Sequence, residues 1–529
     1  MPILFFLPGI LITPFFKKFN QLEKLSISFF FSILIILLIG ALFFTFGIVW
    51  SQLLFFPYLL AVSIFLFLNR KMIKNIRVNK EVKVLLIIFF LAFFYKIILQ
   101  IFIKYYPMAS DWVGHYKTSL FLLEKEPTLQ KSVDEHLYLP YRAPGFYMII
   151  SFFLAIFGKD FWVAQLANTL INTIFIFPTY LLGKGLFNKR IALLTVIFLQ
   201  VIPFIEVSMI IIAKMVTAYF CLLFFYLLLV KRTSGYMLGL VAGIAFLIHQ
   251  YSLVYVGVAL LISLLSNPKR NVRMFIQVIV IFAIVISPWL LLNYRTFGTV
   301  STSDYINFPL YVNYDKQLEE KYTTAQLWEG FKKTPITYII GVRAINLVNA
   351  ITPSVLIFKI ASQFTPIIIH THEITNFNNV PWAYHYYHSI PGNLTFLLYF
   401  FSIIGFIKLW KKNRVLFYFI LLPIIFFDLW FGWVILTLVR SGLPVIVPLL
   451  IMVGFWEVSK RKNADKWIKL IFILGLVELF IFSVFYSWHI QIAERLAIEN
   501  ENLPYKEFRG ISAYESLFSA YKLFHSNKI

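Results

Sequence analysis

Acids, histidines, bases and prolines first gather at residues 105–147, YYPMASDWVGHYKTSLFLLEKEPTLQKSVDEHLYLPYRAPGFY, between two strongly apolar segments. Asp111 and His115 stand four apart there, so a helix sets both on one face. A carboxylate at the mouth of a membrane bundle is costly without a task or a partner. With the histidine beside it, that task could be proton transfer or metal binding. The plainer readings are an N-terminal cap, which Ser110-Asp111 also suits, and a histidine facing interfacial water. Further on, His370, His372 and Glu373 are followed by Trp382, His385 and His388. Their spacing allows a metal site but fits no established zinc motif. A tyrosine- and histidine-rich binding surface, or an aromatic belt at the headgroup level, fits the same residues.

The elements that must position these residues are apolar helices. Of 529 residues, 60% are hydrophobic and 13% charged, with mean hydropathy +0.81. A soluble chain carries about 25% charged residues. Repeated apolar runs, many ending in Lys or Arg, predict an all-α polytopic membrane protein. The N-terminus lacks the basic start of a cleavable signal peptide. The net charge of +23 does not point to nucleic acid, because the bases sit in short loops between apolar runs. That is the positive-inside pattern. A single cysteine, Cys221, excludes an internal disulfide and a zinc site built on several thiolates.

The basic stretch 70–83 marks the cytoplasm most strongly, so residues 84–103 cross outward and the loop around Asp111 is exterior. Residues 145–158 are too short to span comfortably and are predicted to lie along the outer surface. Spans are then expected at 161–182, 191–205, 214–230, 236–249, 253–265 and 274–292, and four more between 394 and 486. With the leading segments this makes about 13–14 transmembrane helices and two large exterior loops, 104–160 and 294–393. The division reads as leading spans 1–83, a membrane module 84–457, and a last span with an exterior polar tail, 458–529. No internal repeat is visible, which speaks against a transporter built from inverted repeats. Within the spans, Lys96 is expected to snorkel toward the exterior end and Asp428 to face the bundle or its mouth.

Taken in order, Asp111-Trp112-x-x-His115-Tyr116, YRAPGFY, FGKDFWVAQL, GLVAGIAFLIHQYS, SPWLLLNYRTFG and VRSGLPVIVPLL resemble the GT-C glycosyltransferases. These include the protein O-mannosyltransferases, the aminoarabinose transferase of lipid A and the oligosaccharyltransferase catalytic subunit. The chain is most similar to the generic prokaryotic members that use a polyprenyl-phosphate sugar, over roughly residues 84–457. The resemblance implies inverting sugar transfer at an exterior active site of a multi-pass protein in a prokaryotic plasma membrane. Asp111 would be the base, with His115 and Glu206 supporting it or holding a metal. The departing lipid phosphate calls for Arg or Lys at the exterior edge. Arg440 answers by family position, with Arg142, Lys214 and Arg295 behind it. His249 lies in a turn near the family's active site, and His370, His372, Glu373, His385 and Trp382 are candidates for sugar or acceptor. Partners are the lipid-linked donor, a glycan, lipid or protein acceptor, and the bilayer, with no nucleic acid. No cofactor is certain, and a divalent metal stays open. The family usually has Asp-Glu where this chain has Asp111-Trp112, and its second acidic pair is reduced here to Glu206. Acceptor type and metal dependence therefore stay open as well. The rival readings are an O-antigen-type polymerase or ligase, and a non-enzymatic lipid-glycan flippase or transporter.

Overall fold

The computed structural model describes residues 18–45, 79–102, 111–124, 142–202, 213–298, 324–351, 394–431 and 435–499, together with a few isolated positions. The chain is an all-α membrane protein, with no strand among the described residues. Among the described residues, five helices are long and apolar enough to cross a membrane: Gln21–Ala41, Lys80–Gln100, Phe161–Leu186, Lys214–Lys231 and Asn271–Phe297. Shorter apolar helices fall at five further places, among them Gly235–Ile248 and Ser252–Ser266, where spans were expected. The chain divides into two compact units.

The first unit holds α1 (Gln21–Thr45), α2 (Lys80–Phe102, its last two residues aside), α3 (Asp111–Phe121), α4 (Gly145–Phe157), α5 (Phe161–Ile174), α6 (Ile176–Leu186), most of α7 (Lys189–Phe198), α8 (Lys214–Phe225), α9 (Gly235–Ile248), α10 (Ser252–Ser266) and α11 (Pro268–Phe297). Helices α9 and α11 run parallel in close contact because α9 carries Gly235, Gly239 and Gly243 at four-residue spacing. A Cβ on Gly239 would stand 2.7 Å from Ile281 Cβ, and one on Gly243 2.6 Å from Val285 Cβ. Small residues spaced in this way let apolar helices approach where burial alone supplies no drive.

One end of this unit is fastened by two carboxylates. Glu23, 3% exposed at the start of α1, accepts from the Tyr226 hydroxyl and from Lys231 Nζ at 2.9 Å. Residues five apart on an α-helix point to different sides. Residues 226–231, however, form a π turn, whose i→i+5 bonding stacks them on one carboxylate. Arg232 then closes the turn in the left-handed conformation (φ 54°). Glu81, at the start of α2, receives Tyr180 at 2.5 Å and Lys184 at 2.6 Å from α6. There the four-residue spacing of an ordinary helix suffices.

Helix α4, expected along the outer surface, has Gly145–Ser151, Phe153 and Leu154 buried among α1, α3, α5 and α9. Its sequence, GFYMIISFFLAIF, is apolar almost all round, and such a helix is covered on every side. Lys96 does not snorkel. It is 1% exposed and donates to Thr173 Oγ1 at 3.3 Å, one turn from a bond between Gln100 Nε2 and Thr169 Oγ1 at 2.7 Å. Polar residues on α5 offer hydrogen bonds that the lipid face lacks.

The second unit contains α12 (Thr324–Lys333), α13 (Ile336–Ile351), α14 (Phe396–Lys412), α15 (Arg414–Phe431), α16 (Ile435–Val458) and α17 (Ala464–Glu499). Helices α14 and α16 meet at Gly405 and Gly454, where Ser402 Oγ donates to Leu450 O at 2.9 Å. Glu457, 1% exposed, ties them with Lys408 at 2.6 Å and Arg461 at 2.7 Å. The segment 294–393, expected to be an exterior loop, includes α13, which packs on α15 and α16 and sends Arg343 Nη1 to Leu429 O.

Candidate active site

The end of the first unit opposite the two glutamates collects the chemistry. Helix α4 starts after the sequence Arg142-Ala143-Pro144, and a Cβ on its first residue, Gly145, would stand 2.6 Å from Leu247 O. Only glycine allows the RAPG loop to press on the last turn of α9. His249 caps that turn, 7% exposed. Its Nδ1 accepts the Tyr251 amide N–H at 3.3 Å, with ring centroids 4.3 Å apart, so this histidine shapes the turn into α10.

On the other side of the loop stands α3. Asp111 is its first residue and His115 lies one turn on, so the expected shared face is present in the backbone. The Asp111 side chain lies outside the described residues. His115 is 1% exposed, its ring edge-on to Phe146 at 5.3 Å and nearly parallel to Tyr147 at 5.4 Å. Arg142 Nη1 sits 3.1 Å from His115 Nε2. The neighbouring Tyr116 donates its hydroxyl to Lys159 O at 2.6 Å, which ties α3 to the turn before α5. Burial, and then the Asp160 carboxylate, push its phenol up to about 12. Sequence reasoning singled out His115 and Arg142 separately; the fold joins them.

Lys214 begins α8, half-buried, and Arg295 is exposed near the end of α11. Arg440 lies in the second unit, inside α16 rather than ahead of it, and its side chain is outside the described residues. Glu206, His370, His372, Glu373, Trp382 and His385 fall outside them as well, and so does the side chain of Asp428. Among the described residues no three of His, Cys, Asp and Glu are grouped to hold a metal ion. The residues that sequence reasoning missed include the α9 glycines, whose four-residue spacing was itself a readable signal, and Arg343.

Residues 141–292 match the family model described as dolichyl-phosphate-mannose-protein mannosyltransferase. The match covers less than a third of the chain. It opens at the RAPG loop and carries Arg142, Lys214 and His249, while Asp111, His115 and Arg440 lie beyond its limits. No curated protein matches the chain. Solved structures with some likeness include an Archaeoglobus fulgidus oligosaccharyltransferase in complex with zinc and sulfate (14% identity, TM-score 0.41). Another is the archaeal oligosaccharyltransferase AglB from the same organism with an inhibitory peptide and a dolichol-phosphate (13%, TM-score 0.44). A third is the Archaeoglobus fulgidus enzyme in the apo form (14%, TM-score 0.43). In each comparison 80% of this chain is covered, but only 56%, 59% and 59% of the other chains.

Proposed function

We propose that the chain is a GT-C-type glycosyltransferase that moves a sugar from a polyprenyl-phosphate carrier to an acceptor hydroxyl on the extracytoplasmic face. The observation that carries the reading is the mannosyltransferase-family match over residues 141–292, which begins at the loop where Arg142 meets the helix headed by Asp111. The Asp111 carboxylate takes the acceptor's proton as its oxygen attacks the anomeric carbon from the face opposite the carrier. The bond from that carbon to the phosphate oxygen breaks, its electron pair stays with the phosphate, and configuration inverts. Phosphate is a good leaving group, so no second carboxylic acid is needed, in contrast to hydrolysis of an ordinary glycoside. Arg142 and Lys214 are the cations of suitable chemistry in the first unit to receive it. Lysines and arginines crowd the end bearing Glu23 and Glu81, which supports placing that end in the cytoplasm and the Asp111 end outside.

A base of this sort contributes roughly 10²–10⁴-fold to the rate. Membranes carrying Asp111→Asn and supplied with a labelled polyprenyl-phosphate sugar should lose transfer by about that factor at normal expression. Undiminished transfer would remove Asp111 as the base, and carrier flipping without transfer would favour the flippase. Loss of transfer on chelation, restored by a divalent ion, would assign a metal requirement.

A further inference from the structure

The contact between Arg142 and His115 has only one possible polarity. A guanidinium carries five N–H donors, has no acceptor and does not lose its proton in proteins. At 3.1 Å, Arg142 Nη1 must therefore donate, and His115 Nε2 must present its lone pair. A ring with a bare Nε2 is neutral and keeps its proton on Nδ1. We propose that His115 is a positioning residue for Arg142: as a neutral Nδ1–H imidazole, it accepts the guanidinium and sets the plane of the fork that meets the carrier phosphate. The phosphate part rests on the function proposed above, whereas the polarity of the contact does not.

Both partners are held by their surroundings. The His115 ring is 1% exposed, fixed on α3 and wedged against Phe146 and Tyr147 of α4. Arg142 stands three residues ahead of Gly145, whose Cα lies against the backbone of Leu247 too closely for a side chain. The backbone is thus pinned on one side of the guanidinium and the acceptor on the other. Phosphate recognition by a guanidinium depends on its plane, because two parallel N–H groups must meet two oxygens. A flexible arginine has to find that plane on each encounter, and one already bonded to a buried ring starts nearer to it.

The same geometry restricts what His115 can do. A metal ion or an acceptor proton at Nε2 would need the lone pair that Arg142 uses. In this arrangement the histidine acts through the arginine and is not itself a base or a ligand at that nitrogen.

The test has a spectroscopic and a kinetic arm, both on the full chain in lipid nanodiscs. In protein labelled with ¹⁵N-histidine, the His115 signals are those absent from His115→Gln. They should show an unprotonated Nε2 and a protonated Nδ1 at neutral pH, and should change in Arg142→Met. A protonated Nε2, or signals indifferent to Arg142→Met, overturns the contact. In the kinetic arm, His115→Phe keeps the ring packing but has no lone pair, and should raise KM for a polyprenyl-phosphate sugar about tenfold or more with a much smaller fall in kcat. His115→Gln returns an acceptor and should restore KM to within about threefold. An unchanged KM in His115→Phe, or equal losses in both variants, overturns the positioning role. If His115→Phe does not fold, the glutamine variant and the nitrogen signals still decide. If the unmodified protein transfers no sugar from such donors, the function reading fails, while the nitrogen arm continues to judge the contact.

Discussion

Glu23 and Glu81, where α1 and α2 begin, are each gripped by a tyrosine hydroxyl and a lysine, whereas Arg142 at the opposite end is held by an imidazole nitrogen. In the first arrangement charge meets opposite charge and the group is finished with: it fastens helices and nothing more. In the second, the contact is to a ring nitrogen that, in the proposal above, orients the guanidinium by accepting from it. The two glutamates also differ from each other. Glu81 takes its partners from an ordinary helix at positions 180 and 184, and Glu23 takes them at 226 and 231 only because the chain widens into a π turn. Comparing the two ends separates residues that hold the bundle from residues poised to act.

The sharpest way to break that contrast is Lys231→Met, which leaves the buried Glu23 carboxylate without its cation. Lys231 is 26% exposed, so the loss falls below that of a fully buried pair, at about 1.5–3 kcal/mol. Thermal unfolding in detergent should reveal the loss, and transfer per folded molecule should stay at the wild-type rate. Arg142→Met should do the reverse, raising donor KM with little change in melting. A fall in melting for Arg142→Met as large as for Lys231→Met would abolish the distinction. Next in size is Gly239→Leu, whose side chain has Ile281 Cβ at 2.7 Å and Val278 O at 2.9 Å in its way. Overpacking of this kind costs about 1–3 kcal/mol. Gly257, on α10, has nothing within 4 Å of a Cβ, so Gly257→Ala should be neutral or stabilising by up to about 1 kcal/mol. Equal effects at both glycines would mean that helix propensity, not close approach, governs α9.

Tyr116→Phe gives the smallest loss of stability, about 1 kcal/mol for the bond to Lys159 O. Its pH dependence can be assigned a sign. The folded phenol is raised to about 12 from the ordinary value near 10, so its protonated form is favoured in the native state. That stabilisation is fully present below about pH 10 and is lost as pH rises toward 12. Unfolding curves of wild type and Tyr116→Phe should therefore converge over that interval. A constant gap through pH 12 would contradict the assignment.

Legibility followed the range of the interaction. Residues 84–103, 161–182, 214–230 and 274–292 were read as spans from hydropathy and flanking bases, and helices long and apolar enough to cross stand there. The burial of α4 was not legible, because a short run apolar on all faces has no periodicity to say what covers it. Lys96 was expected to reach for water because its hydrogen-bonding partner, Thr173, lies 77 residues away. The π turn at 226–231 left no mark in the sequence, since its geometry answers to Glu23 on another helix.

By itself the sequence determined where the strongly apolar helices stand and where the bases fall between them, because both depend on residues close along the chain and on the bilayer as solvent. It also set Asp111 and His115 one turn apart. Only the tertiary structure decided that His115 meets Arg142, 27 residues on, and that Gly145 meets Leu247. Those pairings arise from α4 folding back between α3 and α9, and side-chain volumes brought together by packing, not local propensity, select them.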